Sequence, residues 1–149
     1  MKFADTVNAI LRSKGNQVWS VSPEASVYDA LAVMAEHEIG ALLVISDNQP
    51  VGIFSERDYA RKVILQGKSS RFLQVREIMT SPVISVAPQH TVDHCMSLMT
   101  ASRIRHLPVV DKDRLAGVVS IGDLVKWIIT AQDETIHQLE NYIAGKYPA

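Results

Sequence analysis

The chain has 149 residues, 47% hydrophobic and 21% charged, with a formal net charge of -1, a composition that suits one globular domain or two small ones packed together. No basic surplus is available to hold a phosphate backbone, which argues against nucleic acid as the main partner, and apolar runs such as residues 39–45 fall far short of the roughly 20 residues a membrane helix needs. The lone Cys95 cannot form an internal disulfide, and Asp5 and Asn8 interrupt any apolar export signal, so a reducing, cytoplasmic setting is expected.

Residues 1–17 form an N-terminal segment in which 5–13 read as a short helix ending near Gly15. A first strand, "VWSV" at 18–21, is stopped by Pro23. Ser26 then caps a helix whose apolar residues Val27, Ala30, Leu31 and Met34 recur at i, i+3, i+4 and i+7. "ALLVIS" (41–46) reads as a strand buried on both faces, "SDNQ" as a turn, and "PVGIF" as a third strand that hands over to a helix at Ser55. Residues 67–82 are a polar connector with one amphipathic turn around Val75, Ile78 and Met79.

The pattern then restarts. Shifting the sequence by 65 residues lays 18–64 on 83–129 without a gap. Val18, Ser20, Val21, Pro23, Val27, Met34, Ile39, Leu42, Val44, Gly52, Ser55 and Asp58 meet identical residues at Val83, Ser85, Val86, Pro88, Val92, Met99, Ile104, Leu107, Val109, Gly117, Ser120 and Asp123. The second copy has its own cap (Thr91), helix stripe (Val92, Cys95, Met96, Met99), buried strand "HLPVVD", turn "DKDR" and closing helix from Ser120. Residues 131–149 extend that last helix, with Ile136, Leu139, Tyr142 and Ile143 on one face. The expected organisation is therefore 1–17, a repeat at 18–66, a connector at 67–82, a repeat at 83–130 and an extension at 131–149. The fold class is α/β with mixed sheets: two β-α-β-β-α repeats and flanking helices. Two helices cannot cover a sheet fully, so the repeats should pack sheet to sheet about a pseudo-two-fold axis.

The repeated Gly-x-x-Ser-x-x-Asp run, at 52–58 and 117–123, admits two readings. Serine with an acidic residue three places on can form a capping box, and acidic residues suit the first turn of a helix. Alternatively, glycine inside a strand marks a close approach, a helix start offers amides to an anion, and the serine hydroxyl can bond a phosphate oxygen. Aspartate can accept from both hydroxyls of a ribose. A phosphate and a cis-diol a few ångströms apart describe a nucleotide.

Together with "REIMTSPVISVAP" and "RIRHLPVVD", these runs resemble the tandem CBS (cystathionine-β-synthase) domain family, paired as a stand-alone Bateman module, over residues 18–129. The resemblance implies ribose contacts at Asp58 and Asp123 and phosphate contacts at Ser55 and Ser120. It implies an adenine read by the main chain at Ser20 and Val21 or Ser85 and Val86, between Ile39 or Ile104 and Leu43 or Pro108. Basic residues at Arg105 and His106 stand where the first half has Gly40 and Ala41, and in related modules such residues point at ligand phosphates. Arg57 is a further phosphate candidate, with Arg103 beside them. The two clefts should therefore be unequal.

Cys95 is expected in the core. His37, His90, His94 and His137 lack metal-ligand spacing, so no metal is predicted, and the unrepeated Trp19 and Trp127 read as packing residues. No nucleophile–base–acid set appears, which argues against an enzyme. The expected function is a regulatory module that binds AMP, ADP, ATP or NAD(H) and alters its own or a partner protein's conformation. The alternative is a ligand-free interaction scaffold. The resemblance implies a disc-like homodimer in either case.

Overall fold

In the computed structural model, which describes residues 5–144, the two repeats fold alike because their local signals are alike. The outermost parts of the expected terminal segments, 1–4 and 145–149, lie outside the described residues. α1 (Val7–Lys14) leads to β1 (Ser20–Val21) and α2 (Val27–His37). β2 (Ala41–Ser46) and β3 (Gln49–Ser55) form an antiparallel hairpin that runs straight into α3 (Glu56–Lys62). Two 3₁₀ turns, Ile64–Gln66 and Val75–Glu77, cross the connector. The second repeat supplies α4 (Val92–Ser102), the β4 (His106–Asp111) and β5 (Arg114–Ser120) hairpin, and α5 (Ile121–Ile143).

Capping and turn chemistry explain these boundaries. Ser26 Oγ accepts the Asp29 amide at 3.0 Å and Thr91 Oγ1 accepts the His94 amide at 3.1 Å, each satisfying a donor the helix start leaves over. The hairpins turn on Asp47–Asn48 and Lys112–Asp113, all with positive φ. Two consecutive positive-φ residues match the right-handed twist of the strands they join.

The repeats differ in one strand. β1 pairs in parallel with β2, Ser20 opposite Leu43 and Val21 opposite Val44, giving the sheet order β1-β2-β3. Its counterpart shrinks to a single parallel bridge, Val86 to Val109, beside a two-stranded sheet. Pro108 is the cause. Leu43 donates its amide to Trp19 O at 3.3 Å, and proline in the matching place has no amide to give.

The cores reveal a crossing that the repeat alignment hides. Val75 and Ile78 of the connector are buried in the first repeat's core with Val27, Met34, Leu42, Val44 and Phe54. Val7, Ile10 and Leu11 of α1 are buried in the second repeat's core with Val92, Cys95, Met99, Leu107, Val109, Val119 and Leu124. The backbone bonds correspond one for one. Val27 N donates to Leu73 O and Val75 N to Ala25 O, while Val92 N donates to Asp5 O and Val7 N to His90 O. Each repeat is thus closed by the segment that precedes the other repeat. The two halves meet along β3 and β5, where the Gln49 side-chain amide donates to Asp113 O.

Gly52 and Gly117 mark these junctions. A Cβ on Gly52 would overlap the Met79 side chain, and one on Gly117 would come within 2.9 Å of Leu11 Cδ2. The close approach expected at these glycines is made by the crossing segments. No helix among the described residues is long and apolar enough to cross a membrane.

Candidate functional site

Both Ser-x-x-Asp runs fold as complete capping boxes, so the structural reading holds in both halves. Ser55 N donates to Asp58 Oδ2 at 3.0 Å while Asp58 N donates to Ser55 Oγ at 3.1 Å. Ser120 N donates to Asp123 Oδ2 at 2.9 Å, with Asp123 N to Ser120 Oγ at 3.1 Å. The first helical amides are also occupied: Glu56 N donates to Gly40 O and Ile121 N to Arg105 O. The helix starts therefore do not present the row of open amides expected for an anion, because the caps and the neighbouring strand take most of them.

Beyond the caps the halves diverge. Asp58 is only 7% exposed. Besides the box it accepts from Ser55 Oγ at 3.1 Å and Thr80 Oγ1 at 3.1 Å, and pairs with Lys62 at 3.1 Å. Both its oxygens are engaged, and they tie the connector to α3. Asp123 is more open, and its partner outside the box is Lys14, whose Nζ lies 2.6 Å from Oδ2 and also donates to Val118 O at 3.0 Å. Burial alone would raise the Asp123 carboxyl, but the Lys14 ammonium and the Ser120 amide outweigh it and hold it below its ordinary value.

Lys14 lies at the edge of a cavity of about 370 Å³, at the small end of the roughly 300–1,000 Å³ found for small-molecule sites. One wall comes from the first repeat: Trp19, Ile39, Leu42, Leu43 and Ile53, with Gly40 and Ala41. The other comes from the second: His106, Val118 and Ser120, with Lys14, Gly15, Gln17 and Val18 at the segment between α1 and β1. The arrangement is an apolar face opposite a polar one bearing an ammonium, an imidazole, a hydroxyl and, adjoining, a carboxylate. Burial lowers the His106 pKa below its ordinary 6.5, with Lys14 and Arg105 adding to the effect and Asp123 opposing it. His106 is therefore neutral near pH 7 until an anion arrives.

Comparison with known proteins decides the family: the CBS domain matches twice, over residues 10–64 and 75–130. The chain belongs to the CBS domain family. Among curated relatives, the CBS domain-containing protein CBSX3 of Arabidopsis thaliana, named as mitochondrial, is 39% identical over 95% of this chain and 73% of its own length. Among solved structures, a CBS-domain protein from Burkholderia ambifaria shares 50% identity with a TM-score of 0.83, covering 86% of this chain and 96% of its own. The CBS domain pair of MJ0100, solved with 5-methylthioadenosine and S-adenosyl-L-methionine, is 27% identical with a TM-score of 0.75 and covers 86% and 98%.

Within this CBS pair, the expected site residues separate into three groups. Ile39, Leu43, His106 and Ser120 line the cavity, and Asp123 adjoins it through Lys14. Ser20 and Val21 form β1 beside Leu43 and Val44, one strand position from the cavity residue Trp19. The remainder lie outside the cavity wall. Ser55 and Asp58 are locked in the first box, Arg57 and Ser85 are exposed, and Val86 and Pro108 are buried beside β4 and on it. Ile104 is half-buried against the second core, and Arg105 is exposed next to His106. Cys95 is wholly buried, which pushes its thiol up to about 11 and leaves it inert.

Two cavity residues escaped the sequence reading. Lys14 carries no motif, and only its position just before Gly15, at the end of a basic last turn, sets it apart. Trp19 reads as a packing residue but forms part of the cavity wall, stacked on His37 with ring centroids 3.5 Å apart. Its place next to the repeated Ser20–Val21 was the available signal. Trp127 does pack as expected, donating its indole N–H to Asp5 at 2.9 Å. Among the described residues, no group of His, Cys, Asp or Glu is arranged to hold a metal ion.

Proposed function

We propose that this CBS pair is a regulatory module that binds an adenine nucleotide, AMP, ADP, ATP or NAD(H), in the cavity between its repeats and thereby changes its own conformation or that of a partner protein. The observation that carries the reading is the two-sided cavity, with apolar Trp19, Ile39 and Leu43 facing His106 and Ser120 beside the Asp123 carboxylate. An adenine fits the first wall, main-chain groups at Ser20 and Val21 would read its edge, and Asp123 would take the ribose hydroxyls. Phosphates would lie toward His106, Arg105 and Lys14, where an anion gains charge-assisted bonds. The adenosine ligands of the MJ0100 CBS pair support the same chemistry here. Because walls come from both repeats, a ligand touching both can favour one relative arrangement over another, which is the requirement for regulation. The equivalent groups of the first repeat, Ser55, Arg57 and Asp58 with Ser85, Val86, Ile104 and Pro108, would form the weaker cleft, since Asp58 is already engaged by Thr80 and Lys62.

A second reading, a ligand-free homodimeric scaffold, is favoured by the completeness of both capping boxes. Calorimetric titration with AMP, ATP and NADH separates the two. The nucleotide reading expects saturable binding that Asp123→Ala weakens by about 10- to 150-fold, the loss of one charge-assisted contact at roughly 1.5–3 kcal/mol, and that Asp58→Ala affects less. Flat titrations for all three ligands would leave the scaffold reading.

A further inference from the structure

α5 is longer than the repeat it closes. Its counterpart α3 ends after 7 residues, whereas α5 has 23, about 34 Å at 1.5 Å per residue. Its first turns bury Leu124 and lay Ile121, Trp127 and Ile128 on the second core. A different stripe faces outward: Val125, Ile129, Ile136, Leu139 and Ile143 are 42% to 84% exposed. With Gln132 they stand at steps of four, three, four, three and four, the spacing of a coiled-coil seam. A helix packed only on its own domain has no use for a second apolar face of this length.

We propose that this seam docks the same helix of a second copy of the chain, packed antiparallel. Centred near Glu134, the antiparallel arrangement sets Ile129 against Leu139 of the second copy, Val125 against its Ile143, and Ile136 against its Gln132. The flanking charges choose this direction. Lys126 then runs beside Glu140 of the second copy, and the symmetry repeats the pair, against one Asp133–Asp133 repulsion at the centre. A parallel pairing brings Ile128 to Asp133 and Thr135 to Glu140 and makes no Lys–Glu pair across the seam. The surface is independent of the nucleotide cavity, and it specifies where on the chain self-association occurs.

Sedimentation velocity on the full chain over a concentration series tests the seam. Ile136→Asp/Leu139→Asp should remove one association step and weaken self-association on the order of 30-fold or more, the loss expected of central interface anchors. Both positions are exposed, so an unchanged circular dichroism spectrum should show the variant folded. An unaltered mass distribution overturns the proposal. Direction is read by mixing Ile129→Cys chains with Leu139→Cys chains under mild oxidation. Mixed disulfide dimers, formed only when both chains are present, are expected. Disulfide dimers from Ile129→Cys chains alone, or no cross-linking at all, overturn the antiparallel seam.

Discussion

Lys14 and Asp123 are 109 residues apart in sequence and 2.6 Å apart in space, and their contact bears directly on ligand binding. A ribose that takes the Asp123 carboxylate must displace the Lys14 ammonium. Both groups are partly exposed, so their pairing is worth only about 0.2–1 kcal/mol. Lys14→Ala should therefore tighten adenosine binding by up to about 5-fold, while ligands bearing phosphates gain less because the same ammonium attracts them. Titrations of the variant with adenosine and ATP side by side check this. His106 gives the site a pH dependence of defined sign. Its pKa in the folded chain lies below the ordinary 6.5, so the unfolded chain binds the proton more readily. The contribution of neutral His106 to stability is thus full above about pH 6.5 and declines as the pH falls below it toward the lowered folded value. A bound phosphate favours the imidazolium and reverses the shift. NAD binding should strengthen from pH 8 to pH 6 with proton uptake, measurable by calorimetry in two buffers of different ionisation enthalpy. Unchanged pH dependence in His106→Gln would exclude His106 as the phosphate contact.

At the scale of elements, the glycines in β3 and β5 act as packing devices. Met79 lies over Gly52 and Leu11 over Gly117, and a methyl group at either place needs the neighbour to move. Gly52→Ala should destabilise by about 1–3 kcal/mol, as overpacking of a filled core does. Gly117→Ala should cost less, because it meets the end of a leucine side chain whereas Gly52 faces Met79 from Cβ to sulfur. Urea denaturation of the two variants compares them. The shrinkage of one first strand to a single bridge is a further consequence of one residue: proline at 108 leaves the chain before Val86 without the amide that Leu43 offers Trp19.

For the whole molecule, the crossing of α1 and the connector couples the repeats. Ile10 precedes the first repeat but is buried in the core of the second, and Ile78 precedes the second but is buried in the core of the first. Ile10→Ala should cost about 2–5 kcal/mol and lower hydrogen-exchange protection first in α4 and β4. Ile78→Ala should do so in α2 and β2. The opposite assignment, each variant loosening the repeat next to it in sequence, would contradict the crossed cores. The same crossing brings Lys14 to Asp123 and leaves the segment Gly15–Trp19 along the cavity, so the ligand site and the joint between the repeats are one region.

Local chemistry was legible in the sequence. The duplication, the caps at Ser26, Thr91, Ser55 and Ser120, the turns at Asp47–Asn48 and Lys112–Asp113, and the buried stripe through Cys95 all follow from residues within a few positions of one another, as helix capping and two-residue turns do. The crossing was only partly legible: Val7, Ile10 and Leu11 repeat the spacing of Val75, Ile78 and Met79, but at an offset of 68 rather than 65, outside the gapless alignment. Two sites with the same Gly-x-x-Ser-x-x-Asp run came out unequal because Thr80 and Lys62 fill one and Lys14 reaches the other. Thus the sequence by itself determined the elements and their repetition, through contacts spanning three or four residues. Only the tertiary structure decided which segment closes which repeat and which aspartate stands beside a cavity, because those outcomes depend on side chains that meet after the chain has folded across itself.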